Sequence, residues 1–504
     1  MANLSYNYSG EWDDVCKALR NYPTDLILKR ICKEEIEFQK NAPTSEVTGT
    51  KWVEYNVFNT RTRDSKKKES VITTWNLIDL AFYAVNASND FRGKAEISDA
   101  EFYVLVDAVV GFTQKREETL LNTIEPGSKE AFMYLWGFAG EQFKVQAPAK
   151  VIGNAGRELY ILFELAKRVD REFDIPKIVE METGICWEKI VCSLFLGWVY
   201  FSRNCVYNDD ALSNVKSELL SKSDFLKVIE RYSIDYSGIR SDKSGRQVFY
   251  TRPFVITQKK ELVSISPYLN LCIYEHCIFW IVRDYYHKQK SQSFIDFFGK
   301  CFEEYFKEIL ENCLGRDEFE RISEGRTPSA DWKLEIDGFR FLVEQKSSLI
   351  QLNVKQQETN IEALKDFAKK TIIKAIKQLY NSEQTFGDGP YIKIILLYDN
   401  YLMPAILEQV FEMDECAFEN DGRYWIASIE EMEALLCLCQ NQRDTFDAII
   451  AEKEHREMTH SNLGRSLSQI MVDHKVTKNP YLKQDRIVYY QNFAKEQAIK
   501  VLKE

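Results

Sequence analysis

The chain has 504 residues, of which 45% are hydrophobic, and a formal net charge of −11. This length fits two to four domains with substantial cores, and the composition is that of a folded globular protein rather than a disordered one. The acidic balance excludes a global basic field for nucleic acid, so any such binding must use local patches. The 12 cysteines form no CxxC pair and only 5 histidines are present, which argues against zinc fingers and a disulfide framework. Reduced thiols predict a cytoplasmic protein.

The sequence gives no sign of targeting or of a membrane span. Met1 to Leu4 lack the basic and apolar regions that begin a signal peptide. The longest apolar run, Ile190 to Phe201, is too short to cross a bilayer and is predicted to be a buried core helix. No GxxxxGK(S/T) motif is present, so a nucleotide-hydrolysing motor is not expected.

Residues 1–290 are predicted to form a mostly helical region that regulates the protein or recognises a target. Long segments with helical apolar periodicity run from Trp75 to Val85 and from Leu159 to Val169. The polar, glycine-containing stretch from Tyr232 to Gln247 is predicted to be a linker or long loop. A short hairpin is predicted to follow, with its first strand at Val248 to Ile256.

Residues 291–435 alternate between helical and strand patterns, and residues 436–504 are predicted to be a helical C-terminal appendage. The predicted elements of the middle segment are a helix at Phe294 to Cys313, a hairpin at 331–346, a helix at Ile361 to Tyr380, a strand at Tyr391 to Tyr398 and a strand at Tyr424 to Ala427. The predicted fold class is therefore α+β and multidomain, with a large helical N-terminal region followed by an α/β domain whose mixed sheet is flanked by helices.

The hairpin carries the most informative residues. Asp337-Gly338 is the dipeptide that most strongly favours a two-residue type I′ turn. Folding the chain there gives one apolar face, made by the pairs Ile336–Phe339, Leu334–Phe341 and Trp332–Val343. On the opposite face, Asp331 lies opposite Glu344, and Lys346 follows on the same strand face.

Two opposed carboxylates in such a ladder lie about 5 Å apart at Cβ, and their like charges are destabilising unless a proton or a cation lies between them. Mg²⁺ or Mn²⁺ fits, because hard cations take carboxylate oxygens. A metal between Asp331 and Glu344, with the Lys346 ammonium beside it, is an arrangement that hydrolyses phosphodiesters. The alternative is an exposed hairpin with unrelated charges.

Pro328-Ser329-Ala330-Asp331 followed by Glu344-Gln345-Lys346 resembles the signature of the PD-(D/E)XK nucleases, the restriction-endonuclease-like superfamily. The resemblance covers about residues 291–435. The proline lies three residues before Asp331 rather than adjacent to it, whereas the Glu-x-Lys half is intact. The resemblance implies a restriction-endonuclease-like domain in which Asp331, Glu344 and the Gln345 carbonyl ligate the metal and Lys346 is catalytic.

Further site residues are expected on the two helices around the hairpin. In proteins of this superfamily the helix before the hairpin often carries an extra acidic residue. Glu303 lies at the margin of an apolar stripe and is therefore a better candidate than Glu304 for a third acidic group that aids the metal through water. The alternative is a surface glutamate on an amphipathic helix. On the helix after the hairpin, Gln378 approaches the site by resemblance. Three lysines on the exposed face of that helix would contact nucleic-acid phosphates, or else form only a solvated surface; they are Lys370, Lys374 and Lys377.

The sequence thus predicts a metal-dependent endonuclease for which DNA is favoured over RNA. A role in antiviral defence or restriction is expected by analogy, with the helical region gating the site alone, as a homodimer, or with a partner protein that triggers activity. The alternatives are a ribonuclease and a non-catalytic interaction or sensor protein with a degenerate nuclease fold.

Overall fold

A computed structural model describes residues 10–40, 58–62, 69–125, 128, 151–212, 220–323, 325, 327–347, 365–398, 406–459 and 466–503. The described part of the protein is α+β and predominantly helical, with two mixed sheets and one two-stranded ribbon. The predicted α+β fold class is therefore confirmed. The predicted boundaries near residues 290 and 435 stay predictions.

Those of the first 290 residues that the structure describes are mostly helical, as predicted. The described helices are α1 (Trp12–Leu19), α2 (Thr24–Lys40), α3 (Thr74–Ala87), α4 (Asp99–Leu121), α5 (Val151–Tyr160), α6 (Ala166–Val169), α7 (Ile175–Thr183), α8 (Trp187–Phe201), α9 (Lys222–Arg231), α10 (Tyr236–Ser241), α11 (Val248–Thr251), α12 (Pro267–Glu275) and α13 (Cys277–Lys288). A π-helical segment, Ile161–Leu165, joins α5 to α6. Short 3₁₀ turns lie at Asp209–Leu212 and Gly245–Gln247.

Two small sheets lie in this part of the chain. Strands β1 (Phe58–Thr62) and β2 (Glu69–Thr73) pair antiparallel. Strands β3 (Ser233–Asp235), β4 (Phe254–Ile256) and β5 (Leu262–Ser264) form a mixed sheet in which β3–β4 is parallel and β4–β5 antiparallel. The linker predicted at Tyr232 to Gln247 is therefore wrong, because it contains β3 and α10. The predicted hairpin is present with a shorter first strand.

The C-terminal part places helices on both faces of a five-stranded sheet. The described helices are α14 (Ser293–Cys313), α15 (Lys374–Phe386), α16 (Ile406–Phe411), α17 (Ile429–Asn441), α18 (Arg443–Met458), α19 (Leu467–Asp473) and α20 (Asp485–Lys503). A π-helical segment, Ala368–Ile373, leads into α15, and a 3₁₀ turn, Pro480–Lys483, precedes α20.

The strands of this sheet are β6 (Phe319–Arg321), β7 (Trp332–Ile336), β8 (Phe339–Lys346), β9 (Ile392–Leu397) and β10 (Tyr424–Ser428), in the spatial order β10-β9-β8-β7-β6. Strands β8, β9 and β10 run parallel, and β6, β7 and β8 pair antiparallel. The strand predicted at Tyr391 to Tyr398 is confirmed, and all six residues of β9 are buried. Ser428 and Glu431 form a capping box at the start of α17.

The five-stranded sheet separates two apolar cores. The larger core lies on the α14 side and is continuous with the buried side chains of the N-terminal helices. The smaller core lies on the α15 side. Helix α20 packs against α5 and α8, so the end of the chain joins the N-terminal helices. Across this contact region, buried Arg157 of α5 pairs with buried Glu433 of α17.

Within the described part of the chain, no single helix is both long and apolar enough to cross a membrane. Helices α7 and α8 meet that test only when taken together, and they are bent by 67° relative to each other. Most of α8 is buried, as predicted for residues 190–201.

Candidate active site

The hairpin of β7 and β8 has the predicted register. Ile336 pairs with Phe339 and Trp332 pairs with Val343, where the register ends. Asp331 directly precedes β7, and its carboxyl group lies close enough to that of Glu344 for the two to interact. Asp337 and Gly338 have φ values of 50° and 84°, the positive angles that a type I′ turn requires at both central residues. The backbone amide of Asp331 donates to the Val343 carbonyl at 3.0 Å, which fastens Asp331 to β8 next to Glu344.

The two carboxylates and the lysine come together on the α15 side of the sheet. Glu344 is 2% exposed. The Lys346 ammonium donates to Glu344 Oε1 and, at 2.9 Å, to Gln378 Oε1. Asp331 Oδ2 accepts the backbone amide of Gln345 at 2.7 Å. Glu344 Oε2 is buried, and no hydrogen bond reaches it from the described residues.

Helix α15 holds the loop before Asp331 with three hydrogen bonds. Gln378 Nε2 donates to the Ser329 carbonyl at 3.0 Å, and Asn381 Nδ2 donates to the Pro328 carbonyl at 3.1 Å. The Ala330 amide donates to the hydroxyl of Ser382 at 2.8 Å. Gln378 thus joins the loop to Lys346. The sequence assigned Gln378 to the site only by resemblance, and it did not indicate Asn381 or Ser382.

The Gln345 side chain points to the opposite face, because side chains alternate along a strand. Its Oε1 accepts the Trp332 indole N–H at 2.8 Å, and its Nε2 donates to the Phe302 carbonyl at 3.1 Å. These bonds fasten β7 and β8 to α14. The Gln345 side chain is therefore structural, and its predicted role as a metal ligand concerns only the backbone carbonyl.

A polar cleft of about 500 Å³ opens beside Asp331. Ser329, Gln378 and Glu303 are among the residues that line it. Glu303 Oε2 accepts a hydrogen bond of 2.6 Å from Nη2 of Arg321, which also lines the cleft. Sequence reasoning missed Arg321, because it lies in a three-residue edge strand with no motif around it.

The predicted phosphate-binding lysines lie on the surface but not in the cleft lining. Lys370, Lys374 and Lys377 are exposed, as the helical pattern predicts. Lys370 forms an ion pair of 3.3 Å with Asp366, one helical turn earlier. Residues 361–364 of the predicted helix fall outside the described residues, and residues 368–373 are π-helical rather than α-helical.

Burial and like charge control the titration of the carboxylate pair. Burial, and then the negative charge of Asp331, raises the pKa of Glu344 to about 8, although Lys346 opposes this rise. Burial also raises the pKa of Asp331, against the lowering effects of the Gln345 amide and of Lys346. At neutral pH without metal, the pair therefore retains a proton.

This titration predicts a pH-dependent stability in metal-free protein. The unfolded chain releases the Glu344 proton near the ordinary pKa of 4.5, whereas the folded protein holds it until about pH 8. Stability attributable to this group therefore falls as pH rises from about 4.5 to about 8. Glu344→Gln removes the ionisation. The variant should therefore be more stable than the wild type at high pH by a few kcal/mol, because each tenfold change in a proton dissociation constant corresponds to about 1.4 kcal/mol.

The measurement is urea unfolding in EDTA at acidic, neutral and alkaline pH. The stability difference between variant and wild type should shrink towards acidic pH. A pH-independent difference would contradict the assignment of a shared proton. Added Mg²⁺ should stabilise the wild type at alkaline pH and leave the variant unchanged.

The donor set suits a hard divalent cation. Among the described residues, no group of three or more His, Cys, Asp or Glu side chains is arranged to hold a metal ion. Mg²⁺ nevertheless often takes only one or two carboxylates and completes its shell with water and substrate phosphate. The unbonded, buried Oε2 of Glu344, facing Asp331, is an oxygen that such a cation would satisfy.

The site therefore consists of a buried carboxylate, a second carboxylate at a cleft, an ammonium between Glu344 and Gln378, and a loop fastened by α15. Comparison of the chain with protein-family models, with curated proteins and with solved structures finds no match in any of the three.

Proposed function

We propose that the protein is a metal-dependent nuclease that hydrolyses phosphodiester bonds, with DNA favoured as substrate. The observation that carries this proposal is the proximity of the Asp331 and Glu344 carboxyl groups, with the Lys346 ammonium bonded to Glu344 and Asp331 lining a polar cleft. The restriction-endonuclease-like layout of the domain is part of the proposal. The mixed sheet supports it, because the three residues lie at the ends of its neighbouring strands.

The chain's own residues would perform two tasks. Lys346, oriented by the Gln378 side chain, would hold the attacking water or balance charge that develops on the phosphate. Asp331 is held by the Gln345 amide and by the fastened 328–330 loop, so its carboxylate is preorganised. When bound by Asp331 and Glu344, Mg²⁺ or Mn²⁺ supplies phosphate charge neutralisation and an activated water.

Water would form the new bond to phosphorus while the bond from phosphorus to the leaving sugar oxygen breaks. The leaving oxygen takes up a proton and the phosphate monoester remains on the other fragment. We further propose that the N-terminal helices gate this activity, as in a defence or restriction effector. The continuous core and the buried Arg157–Glu433 pair support such coupling, because they connect those helices to the sheet domain.

The test is incubation of the purified full-length chain with plasmid, linear duplex, single-stranded DNA and RNA, with Mg²⁺ or Mn²⁺ and with EDTA controls. We expect DNA cleavage that EDTA abolishes. Glu344→Gln protein, purified in parallel, controls for a contaminating nuclease. Cleavage of RNA alone would reassign the protein as a ribonuclease. Cleavage of no nucleic acid with either metal would favour the non-catalytic sensor or interaction protein.

A further inference from the structure

Backbone hydrogen bonds hold the main chain at Arg321 beside that of Asp331. It is the last residue of edge strand β6 and pairs with Trp332, the neighbour of Asp331 in the chain. The amide of the next residue, Ile322, donates to the Asp331 carbonyl at 2.9 Å. Arg321 and Asp331 both line the cleft, so a ligand in the cleft could contact both side chains.

The Arg321 side chain is exposed and held from one side. It is 59% exposed, and its Nη2 donates to Glu303 Oε2 at 2.6 Å. Within the described residues, Glu303 is the hydrogen-bond acceptor of the Arg321 side chain, so the described residues do not engage all five guanidinium N–H donors. Glu303 lies on α14, whose Phe302 carbonyl is bonded to Gln345, so this support is tied to the sheet.

An anionic substrate needs a positively charged side chain in this cleft to offset the acidic residues that line it. Of the described residues that line it, Glu303 and Asp331 are acidic and Arg321 is the only base. A nucleic-acid phosphate would be repelled by both carboxylates. The planar guanidinium offers paired N–H donors that match two phosphate oxygens, which a surface ammonium does not.

From these contacts we infer that Arg321 binds a backbone phosphate of the nucleic acid beside Asp331, and that Glu303 orients the guanidinium. This inference rests on the proposed nuclease function and adds a substrate contact to it. Glu303 is then a positioning residue that acts through Arg321. The sequence had instead predicted that Glu303 aids the metal.

The test measures binding separately from cleavage. The full-length chain is titrated into a labelled DNA duplex in EDTA, by fluorescence anisotropy, over a range of KCl concentrations. For Arg321→Gln, the slope of log K against log[salt] should become shallower by about 0.9, the value for one lost phosphate contact on duplex DNA. Arg321→Lys should retain most of the slope. Arg316→Gln, an exposed arginine outside the cleft lining, is the matched control and should equal the wild type.

Glu303→Gln distinguishes the two roles of the glutamate. If Glu303 positions Arg321, the variant should raise KM while kcat and the Mg²⁺ requirement stay near the wild-type values. A lowered kcat with a raised Mg²⁺ requirement would overturn the positioning role and return Glu303 to the metal.

Equal salt slopes for the wild type and Arg321→Gln would overturn the phosphate contact, even if the wild type cleaves DNA and the proposed function stands. An Arg321-dependent slope in a wild-type protein that cleaves nothing would instead refute catalysis and support the contact. The two failures are therefore distinguishable.

Discussion

Asp331→Asn, Glu344→Gln and Lys346→Met are each expected to lower the cleavage rate by about 10²-fold or more, the usual loss when one well-placed charge-stabilising group is removed. Each substitution preserves the shape of the side chain closely. Asp331→Asn keeps a side-chain oxygen that can accept the Gln345 amide, and Glu344→Gln avoids a buried charge. The loss should therefore appear in kcat rather than in the folded fraction, measured by single-turnover cleavage and by circular dichroism.

The matched control for this series is Glu304→Gln. Glu304 neighbours Glu303 on α14 but pairs with Lys307 on the surface and does not line the cleft. Its substitution should leave the rate within about twofold of the wild type, because surface ion pairs contribute little. Wild-type rates from all three site variants would refute the assignment of the site.

Arg157→Met is expected to destabilise the whole protein by about 3–5 kcal/mol, the range for a buried ion pair that loses one partner. Arg157 donates two hydrogen bonds of 2.7 Å to the Glu433 carboxylate, which also accepts from Tyr305 and Asn479. Glu433 is 0% exposed, so removing the guanidinium leaves a buried charge without its counter-ion. Urea unfolding followed by circular dichroism measures the loss.

Two further variants separate charge from packing. Arg157→Met combined with Glu433→Gln should recover part of the stability, because the double variant buries no uncompensated charge. Lys307→Met, which removes surface ion pairs with Glu304 and Glu311, should cost at most about 1 kcal/mol. If Arg157→Met were no more harmful than Lys307→Met, the pair would not contribute to joining the N-terminal helices to α17.

The local parts of the candidate site followed from the sequence. Asp337-Gly338 specifies a turn with two positive φ angles, and that turn fixes the register from Ile336–Phe339 outwards. A two-residue strand period then places Asp331, Glu344 and Lys346 on one face without reference to the rest of the chain. The buried run 391–398 and the Ser428 capping box were predictable for the same reason, because their signals lie within a few consecutive residues.

Short elements with non-local partners were not predictable. Residues 232–247 have polar, glycine-containing sequence, yet Ser233–Asp235 forms a strand because it pairs with Phe254–Ile256. Asp235 then caps α10 through the Gly238 amide. Three residues are too few to show a strand period, so only the distant partner makes them a strand.

What the sequence by itself determined is the chemistry of one hairpin, which brings two carboxylates and a lysine together on one face. The tertiary structure decided which side chains surround them. Gln378 reaches Lys346 because α15 packs on β8, and Arg321 meets Glu303 because α14 and the edge strand approach the same cleft. Such contacts join residues that are far apart in the chain, and neither helical nor strand periodicity carries information about them.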